Sequence, residues 1–474
     1  MKDVQTEVPS IIIQLAETTE AAGGHALMTG GCVRDMKLGL KPTDYDIEVY
    51  RLSPEQVTSM LSKIDVVDMV GNDFSVWQLH HYPIDVNIPR LERKIGSGHR
   101  DFAVTAIPTL SIMEAARRRD FTFNAMAYDP LTGQLYDFFN GMRDLREKKI
   151  RHTSEKFVED PLRVLRAMQL ASRFEMTIAD ETAQLCKTLQ DALKYLPIER
   201  IWGEFEKMFI KGKKVSMGLQ ALDKMEILNY FPEVRALKGL AQDKKWHPEG
   251  DALTHTGLVC DAAVVISERE HLSYDERMVM VLGALTHDIG KADTTETKTD
   301  GSVTSYSHAQ KGAPIAEKFM KSIGTPLHYI KPVMALVQYH MDYLQDTTTD
   351  RSVRRLSVKL ANAGTTMRQF GYLVEADHIG RPPIGKMPKQ MMEILKRAEH
   401  LNVKDNAPTP ILMGRHLIEL GLTPGPVFGQ ILKQVFEAQL DGKIKTLDEA
   451  VAYAKELTQS PNVSEQERHE KGEM

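Results

Sequence analysis

Residues 39–50 read GLKPTDYDIEVY, and the alternation inside them decides how the first part of the chain folds. Ile47 and Val49 alternate with polar neighbours, the period of a strand with one buried face. On that period Asp44, Asp46 and Glu48 share the other face. Three carboxylates there repel one another unless something positive sits among them, so the stretch predicts a solvated edge or a place for cations. Around it ALMTGG, DVVDMVG, FSVWQLHHY, IDVNIPR and FTFNAMAYD are short β-rich runs separated by turn residues. Residues 1–150 therefore predict an α/β head with a mixed sheet.

From residue 151 the pattern changes. PLRVLRAMQLASRF, ADETAQLCKTLQDALKYL and PIERIWGEFEKMFIK carry apolar residues at helical spacing, and the second half reads as all helix. Pro and Gly in DKKWHPEGD and RPPIGKMPK mark boundaries. The expected division is a head at 1–150, a helical neck and body at 151–245, a second all-α domain at 246–395, a C-terminal helical segment at 396–457 and a disordered tail at 458–474. A chain of 474 residues is long enough for more than one core, and hence more than one site. The formal net charge of -5 means that a nucleic-acid partner is held by local basic patches rather than a global field. Cys32, Cys186 and Cys260 are far apart and odd in number, which fits a reducing cytoplasm. The start lacks the positive region of a signal peptide, and no run reaches the roughly 18 apolar residues of a membrane span.

Upstream of the carboxylates, TGGCVRD places Gly30 and Gly31 between an apolar run and a helix-like segment. Paired glycines let backbone N–H groups approach a phosphate, although most such turns are structural. Asp44 and Asp46 on one face can chelate Mg²⁺, with a third carboxylate from a neighbouring strand completing a two-metal site. Asp85 in YPIDVNIPR is the candidate, with Glu48 the weaker one. Arg118, Arg119 and Asp120 precede an apolar run, and Glu159, Asp160 and Arg163 open a helix with Pro161 in its first turn. GGCVRD, DYD, RRRDFTFNAMAYD and EDPLRVLRAMQLASRF, in that order, resemble the class II tRNA nucleotidyltransferase and bacterial poly(A) polymerase superfamily.

That resemblance implies magnesium ions on Asp44 and Asp46, and a triphosphate pocket lined by Gly30, Gly31 and Arg34. It implies contacts from Arg118, Arg119 and Asp120 to triphosphate and ribose, and a flexible loop carrying Asp137, Gly141 and Asp144. Asp160 and Arg163 would form an amino-acid template that accepts C and A by hydrogen bonding. Glu159, Glu199, Arg200 and Glu204 would brace the neck. The implied reaction is CCA addition to a tRNA 3′ end from CTP and ATP, with release of pyrophosphate. A poly(A) polymerase shares the head, but VGNDFSVWQL lacks the basic stretch such enzymes carry after the acidic strand. A partial CC- or A-adding enzyme shares all these motifs.

A second constellation lies downstream. His255, the pair His287–Asp288 and Asp377 follow in the order H…HD…D on predicted helices, and two imidazoles with two carboxylates suit a divalent metal of unspecified identity. The order resembles the HD superfamily of metal-dependent phosphohydrolases, which implies a phosphatase or 2′,3′-cyclic phosphodiesterase activity. A non-catalytic nucleotide sensor is the rival from another class. Lys291 suits phosphate or a helix C-terminus. His308 and His340 suit a second metal or phosphate, although core or surface histidine is the commoner fate of such residues. The GLTPGP turn at 421–426 reads as a plain helical hairpin.

Overall fold

The computed structural model describes residues 7–70, 76–94, 102–344, 349–383 and 385–459. The tail from 460 onward and residues 71–75 of the VGNDFSVWQL stretch lie outside the described residues. The chain divides into two compact units, Met1–Pro232 and Glu233–Met474.

The first unit is built on a seven-stranded mixed sheet. Its strands are β1 (His25–Thr29), β2 (Tyr45–Tyr50), β3 (Val67–Val70), β4 (Val76–Leu79) and β5 (Ile84–Asn87). β6 (Arg90–Lys94) and β7 (Phe102–Ala106) form a separate ribbon, and β8 (Ala127–Tyr128) and β9 (Leu135–Tyr136) rejoin the main sheet. The order is β3-β4-β5-β2-β1-β8-β9, and β2 with β5 is the parallel pair. Both faces of β2 are covered: Ile47 and Val49 are buried, but so are Glu48 and Tyr50. The strand is therefore central, and its polar face is polar by design rather than by exposure. The helices Ser10–Ala21 and Pro54–Leu61 pack on one side, where the Thr19 hydroxyl donates to Met60 Sδ at 3.1 Å.

FTFNAMAYD does not continue as the strand its residues predict. Thr122–Asn124 is a single 3₁₀ turn, closed by Asn124 N donating to Phe121 O, and only Ala127–Tyr128 pairs in the sheet. The turn aims Asn124 inward, where its amide is used twice. Beyond the sheet, Leu162–Phe174, Ile198–Lys211 and Val215–Lys224 form the helical body, with Phe205 edge-on to Phe231 at 5.2 Å.

The second unit is helical, with one departure from the all-helix expectation. Thr295–Thr297 and Val303–Ser305 form a small antiparallel hairpin, turned at Gly301 with φ 82° and tied by the Thr295 and Ser305 hydroxyls at 2.7 Å. Five helices, Ala252–Arg269, Tyr274–Thr286, His308–Ser322, Leu327–Tyr339 and Met367–Ile379, build the core around the histidines. A smaller core of Leu412, Leu417, Ile431, Val435 and Ala450 unites the last three helices. Gly290 is the tightest contact in the main core, since a Cβ there would lie 2.2 Å from His308 O and 2.6 Å from Gly312 N. A Gly290→Ala substitution should lower stability by about 1–3 kcal/mol, read from urea denaturation of the full chain. At Gly283 the nearest atom to an added Cβ is at 3.4 Å. Gly283→Ala should therefore cost much less, and equal costs would contradict this packing.

Candidate functional site

The parallel register sets Asp85 directly opposite Asp46, so both project from the same face of the sheet. Burial raises the Asp46 carboxyl; Arg119 lowers it, and the charges of Asp44 and Asp85 raise it again. The three acids therefore sense one another, with Asp44 exposed and the other two half-buried at the open end of β2 and β5. Glu48, on the same face, is 1% exposed and turned to other work. It lies 3.1 Å from the Arg118 guanidinium and 3.8 Å from that of Arg119, and it accepts from the Tyr50 hydroxyl at 2.7 Å.

Gly30 takes φ 74°, a left-handed backbone that favours glycine. A Cβ there would stand 2.9 Å from the Arg119 guanidinium and 3.3 Å from Asp46 Oδ2, so this turn borders the acids directly. Beside Gly31, Arg34 is buried: it donates to Asp35 and Asn124, each at 2.8 Å, and lies over the Phe174 ring. Its donors brace the turn. Asp120 accepts from Phe121 N at 2.7 Å and Asn124 at 2.9 Å, and Arg166 lies 2.5 Å away. Burial alone would raise the Asp120 carboxyl, but Arg166 and Asn124 hold it below its usual range.

The Asp160 carboxylate receives Leu162 N at 3.1 Å and Arg200 at 2.8 Å, and Arg163 donates to the carbonyls of Lys156 and Arg118 at 2.7 Å. Of the neck residues, Arg200 thus ties one helix to the start of another. Glu204 is buried and receives Lys207, Glu159 is half-buried, and Glu199 is exposed. Asp137, Gly141 and Asp144 are corrected. Gly141 and Asp144 lie not in a loop but in the helix Gly141–Arg146, and Asp137, in the connection before it, accepts from the Gly141 and Met142 N–H groups at 2.7 and 2.9 Å. Asp144 is buried, accepts from Thr122 at 2.7 Å and pairs with Arg151. Asn124 and Arg166 escaped sequence reading, although Arg166 sits one turn beyond Arg163 in a motif already singled out.

In the second unit His255, His287, Asp288 and Asp377 converge. His255 Nε2 lies 3.1 Å from Asp377, 3.5 Å from Asp288 and 3.3 Å from His287 Nε2, and His287 Nε2 lies 3.2 Å from Asp288. His308 and His340 join the same cluster: their Nε2 atoms are 3.1 Å apart and lie 3.2 and 3.9 Å from the other Asp288 oxygen. Both therefore face the cluster, not solvent or apolar core. The Nδ1 atoms of His287, His308 and His340 reach the carbonyls of Ala284, Ser305 and Val337 at 2.7–2.8 Å. A carbonyl can only accept, so each Nδ1 donates to it and each Nε2 is left facing the cluster.

Glu249 Oε1 lies 2.7 Å from the outer nitrogen of His255 and 2.9 Å from His247. Burial would raise Glu249, but these histidines hold it down to about 2. Asp288 and Asp377, both buried, are nonetheless held well below their usual range, by His287 and Lys291 and by Arg381 and His255 respectively. Burial and the neighbouring histidines push His340 down to about 3. Lys291 lies 2.6 Å from Asp288 and Arg381 pairs with Asp377. His247, Glu249 and Arg381 were missed in the sequence; the signal for Arg381 was its place one helical turn after Asp377.

Residues 26–151 match the family of the poly(A) polymerase head domain, and residues 175–237 match one described as a probable RNA- and SrmB-binding site of polymerase A. Residues 304–454 match a putative second domain of tRNA nucleotidyltransferases. The multifunctional CCA protein of Aromatoleum aromaticum is 33% identical over 371 residues, 76% of this chain and 86% of that protein. The chain belongs to the CCA-adding tRNA nucleotidyltransferase family. Its relatives include the multifunctional CCA protein of Pasteurella multocida, 37% identical over 274 residues, 56% of this chain and 63% of that protein. The family fold is shared with the CCA-adding enzyme of Bacillus stearothermophilus in complex with CTP, at a TM-score of 0.66 and 20% identity, covering 97% of this chain and 98% of that one.

The Asp120–Arg166 pair gives the head a pH signature. A carboxyl whose folded pKa lies below its unfolded value adds stability above the unfolded value, near 3.8, and loses it as pH falls through the folded one. An Asp120→Asn chain should be less stable at neutral pH, and its melting temperature should fall less steeply than the parent's below about pH 4. Parallel melting curves against pH would contradict the pairing.

Proposed function

We propose that the head adds CCA to tRNA 3′ ends from CTP and ATP, and that the histidine cluster is an HD-type phosphohydrolase centre. The reading divides the chain into a catalytic head at 1–150, a neck and body at 151–245, the phosphohydrolase at 246–395 and a helical segment at 396–457. The observation that carries the first activity is the register that sets Asp46 opposite Asp85 on β2 and β5, with Asp44, just before β2, adding its charge to Asp46. An all-carboxylate donor set fits Mg²⁺, which leaves positions for substrate phosphates. Bound there, magnesium would neutralise the triphosphate and ease ionisation of the attacking hydroxyl.

The chain's own residues supply orientation and selection. Arg119, beside Gly30 and Asp46, offers a guanidinium to the phosphates, and the bare Gly30 backbone leaves room for them. Asp160 accepts from an exocyclic amine and Arg163 donates to the ring of the incoming base. Arg200 and two backbone carbonyls fix these side chains before a base arrives, so a base with the wrong donor–acceptor pattern meets fixed groups it cannot pair with. Support for the CCA product comes from the family and from relatives named for it.

For the second activity, inward-facing imidazole nitrogens with two ionised carboxylates fit a divalent transition metal on His255, His287, Asp288 and Asp377. Such a metal would activate water and polarise a phosphoryl oxygen. His308 and His340, on the second oxygen of Asp288, suit an adjoining position, and Lys291 and Arg381 suit the charge of a phosphate.

The test uses purified full chain and tRNA lacking its 3′ end, with CTP and ATP supplied singly and together. Three added residues are expected with both nucleotides; a long ladder with ATP alone would overturn the reading in favour of poly(A) synthesis. Asp46→Asn should cut addition by roughly 100-fold or more. Asp288→Asn should abolish hydrolysis of terminal or 2′,3′-cyclic phosphates and leave CCA addition intact; loss of both would contradict two separate sites.

A further inference from the structure

The histidines of the second unit are not all held alike. His287, His308 and His340 each rest Nδ1 on a backbone carbonyl three residues back. His255 does not. It sits in the first turns of the helix Ala252–Arg269, and its Nδ1 meets a carboxylate oxygen, Glu249 Oε1, at 2.7 Å. Both side chains are buried, at 0% and 2% exposed. The same oxygen lies 2.9 Å from His247 Nδ1 and takes its hydrogen bond there. His255 Nδ1 and Glu249 Oε2, both buried, are left without a hydrogen-bond partner.

The backbone around Glu249 is fixed. Asp251 caps the helix by accepting from Thr254 N at 2.9 Å, and its other oxygen accepts from Gly239 N at 2.6 Å. Gln242 donates to Gly250 O at 3.3 Å and accepts from Lys291 Nζ at 2.7 Å. The HPEGD stretch, residues 247–251, is therefore a strap that carries one carboxylate to the back of one imidazole. Burying an unmatched carboxylate oxygen beside an unmatched ring nitrogen is costly, so the pair is built for a state in which the two are matched.

We propose that Glu249 is a positioning residue for the metal centre of the second unit, fixing the His255 ring and strengthening it as a ligand when a divalent cation takes Nε2. A cation on Nε2 leaves the ring proton on Nδ1, where Glu249 is the acceptor at hand. A small turn of the carboxylate then aligns an oxygen with that N–H. A carboxylate behind the ring makes the imidazole more basic toward a metal than a neutral carbonyl does, so His255 becomes the strongest imidazole donor of the set. The inference rests on the metal-centre half of the proposed function and is independent of hydrolysis.

Full-length protein stripped of metal is titrated with Co²⁺ and followed by visible absorption, with His287→Ala marking the part of the signal that belongs to the cluster. Glu249→Gln keeps the size and an acceptor oxygen but removes the charge. It should leave the melting temperature of the metal-free chain unchanged, weaken Co²⁺ binding at the cluster roughly tenfold and shift the absorption bands; Glu249→Ala should weaken binding toward 100-fold. Equal affinity and equal spectra in parent and both variants would overturn the proposal and leave Glu249 as an anchor of the strap. A loss of affinity that only follows a lower melting temperature of the metal-free chain would overturn it too. If the parent binds Co²⁺ with the expected losses in the variants, yet hydrolyses no phosphate monoester, the hydrolase reading fails and the role of Glu249 stands. If hydrolysis persists and the variants bind as the parent does, the reverse holds.

Discussion

The head depends on one buried pairing, Glu48 against Arg118 and Arg119. A central strand with an acidic face is costly to bury unless opposite charge is brought to it, because isolated ions lose hydration that the interior does not replace. The two arginines and the Tyr50 hydroxyl meet that need at Glu48. Asp46 and Asp85 are left at the open end, where Asp44 adds a like charge and Arg119 and, more weakly, Arg166 supply the counter-charge. The same strand face is thus structural at its inner end and available at its outer end. The turn at Gly30 works with this arrangement, since its φ of 74° favours glycine and a Cβ there would displace the Arg119 guanidinium and crowd Asp46.

The second unit solves the opposite problem. Its histidines are buried, yet three of them spend their outer nitrogens on backbone carbonyls one turn back, and a fourth meets Glu249. The inner nitrogens then face one another at 3.1–3.3 Å, His308 against His340 and His255 against His287. Asp288 serves both halves of the cluster, one oxygen toward His255 and His287 and the other toward His308 and His340.

Local periodicity made much of this legible in the sequence. The alternation at 44–50 announced a strand with an acidic face, and the helical stripes after 151 announced the body. What it could not show was pairing across distance: nothing near Glu48 indicates that its partner is Arg118, seventy residues on. The stretch 136–151 reads as a loop only through its family resemblance, whereas Asp137 accepts from the N–H group that opens the helix Gly141 begins. The hairpin at 295–305 was too short and too polar to register as strand. His308 and His340 looked isolated because each is carried on its own helix and only packing aims both at Asp288.

The central claim is that one chain holds two metal centres of different donor chemistry, one all carboxylate and one mixed imidazole and carboxylate. Crystals of the full chain soaked in Mn²⁺ test it most directly through anomalous scattering. The account predicts one peak within coordination distance of Asp44 and Asp46, and a separate one enclosed by His255, His287, Asp288 and Asp377. Anomalous density missing from either place, or centred on other residues, would contradict it.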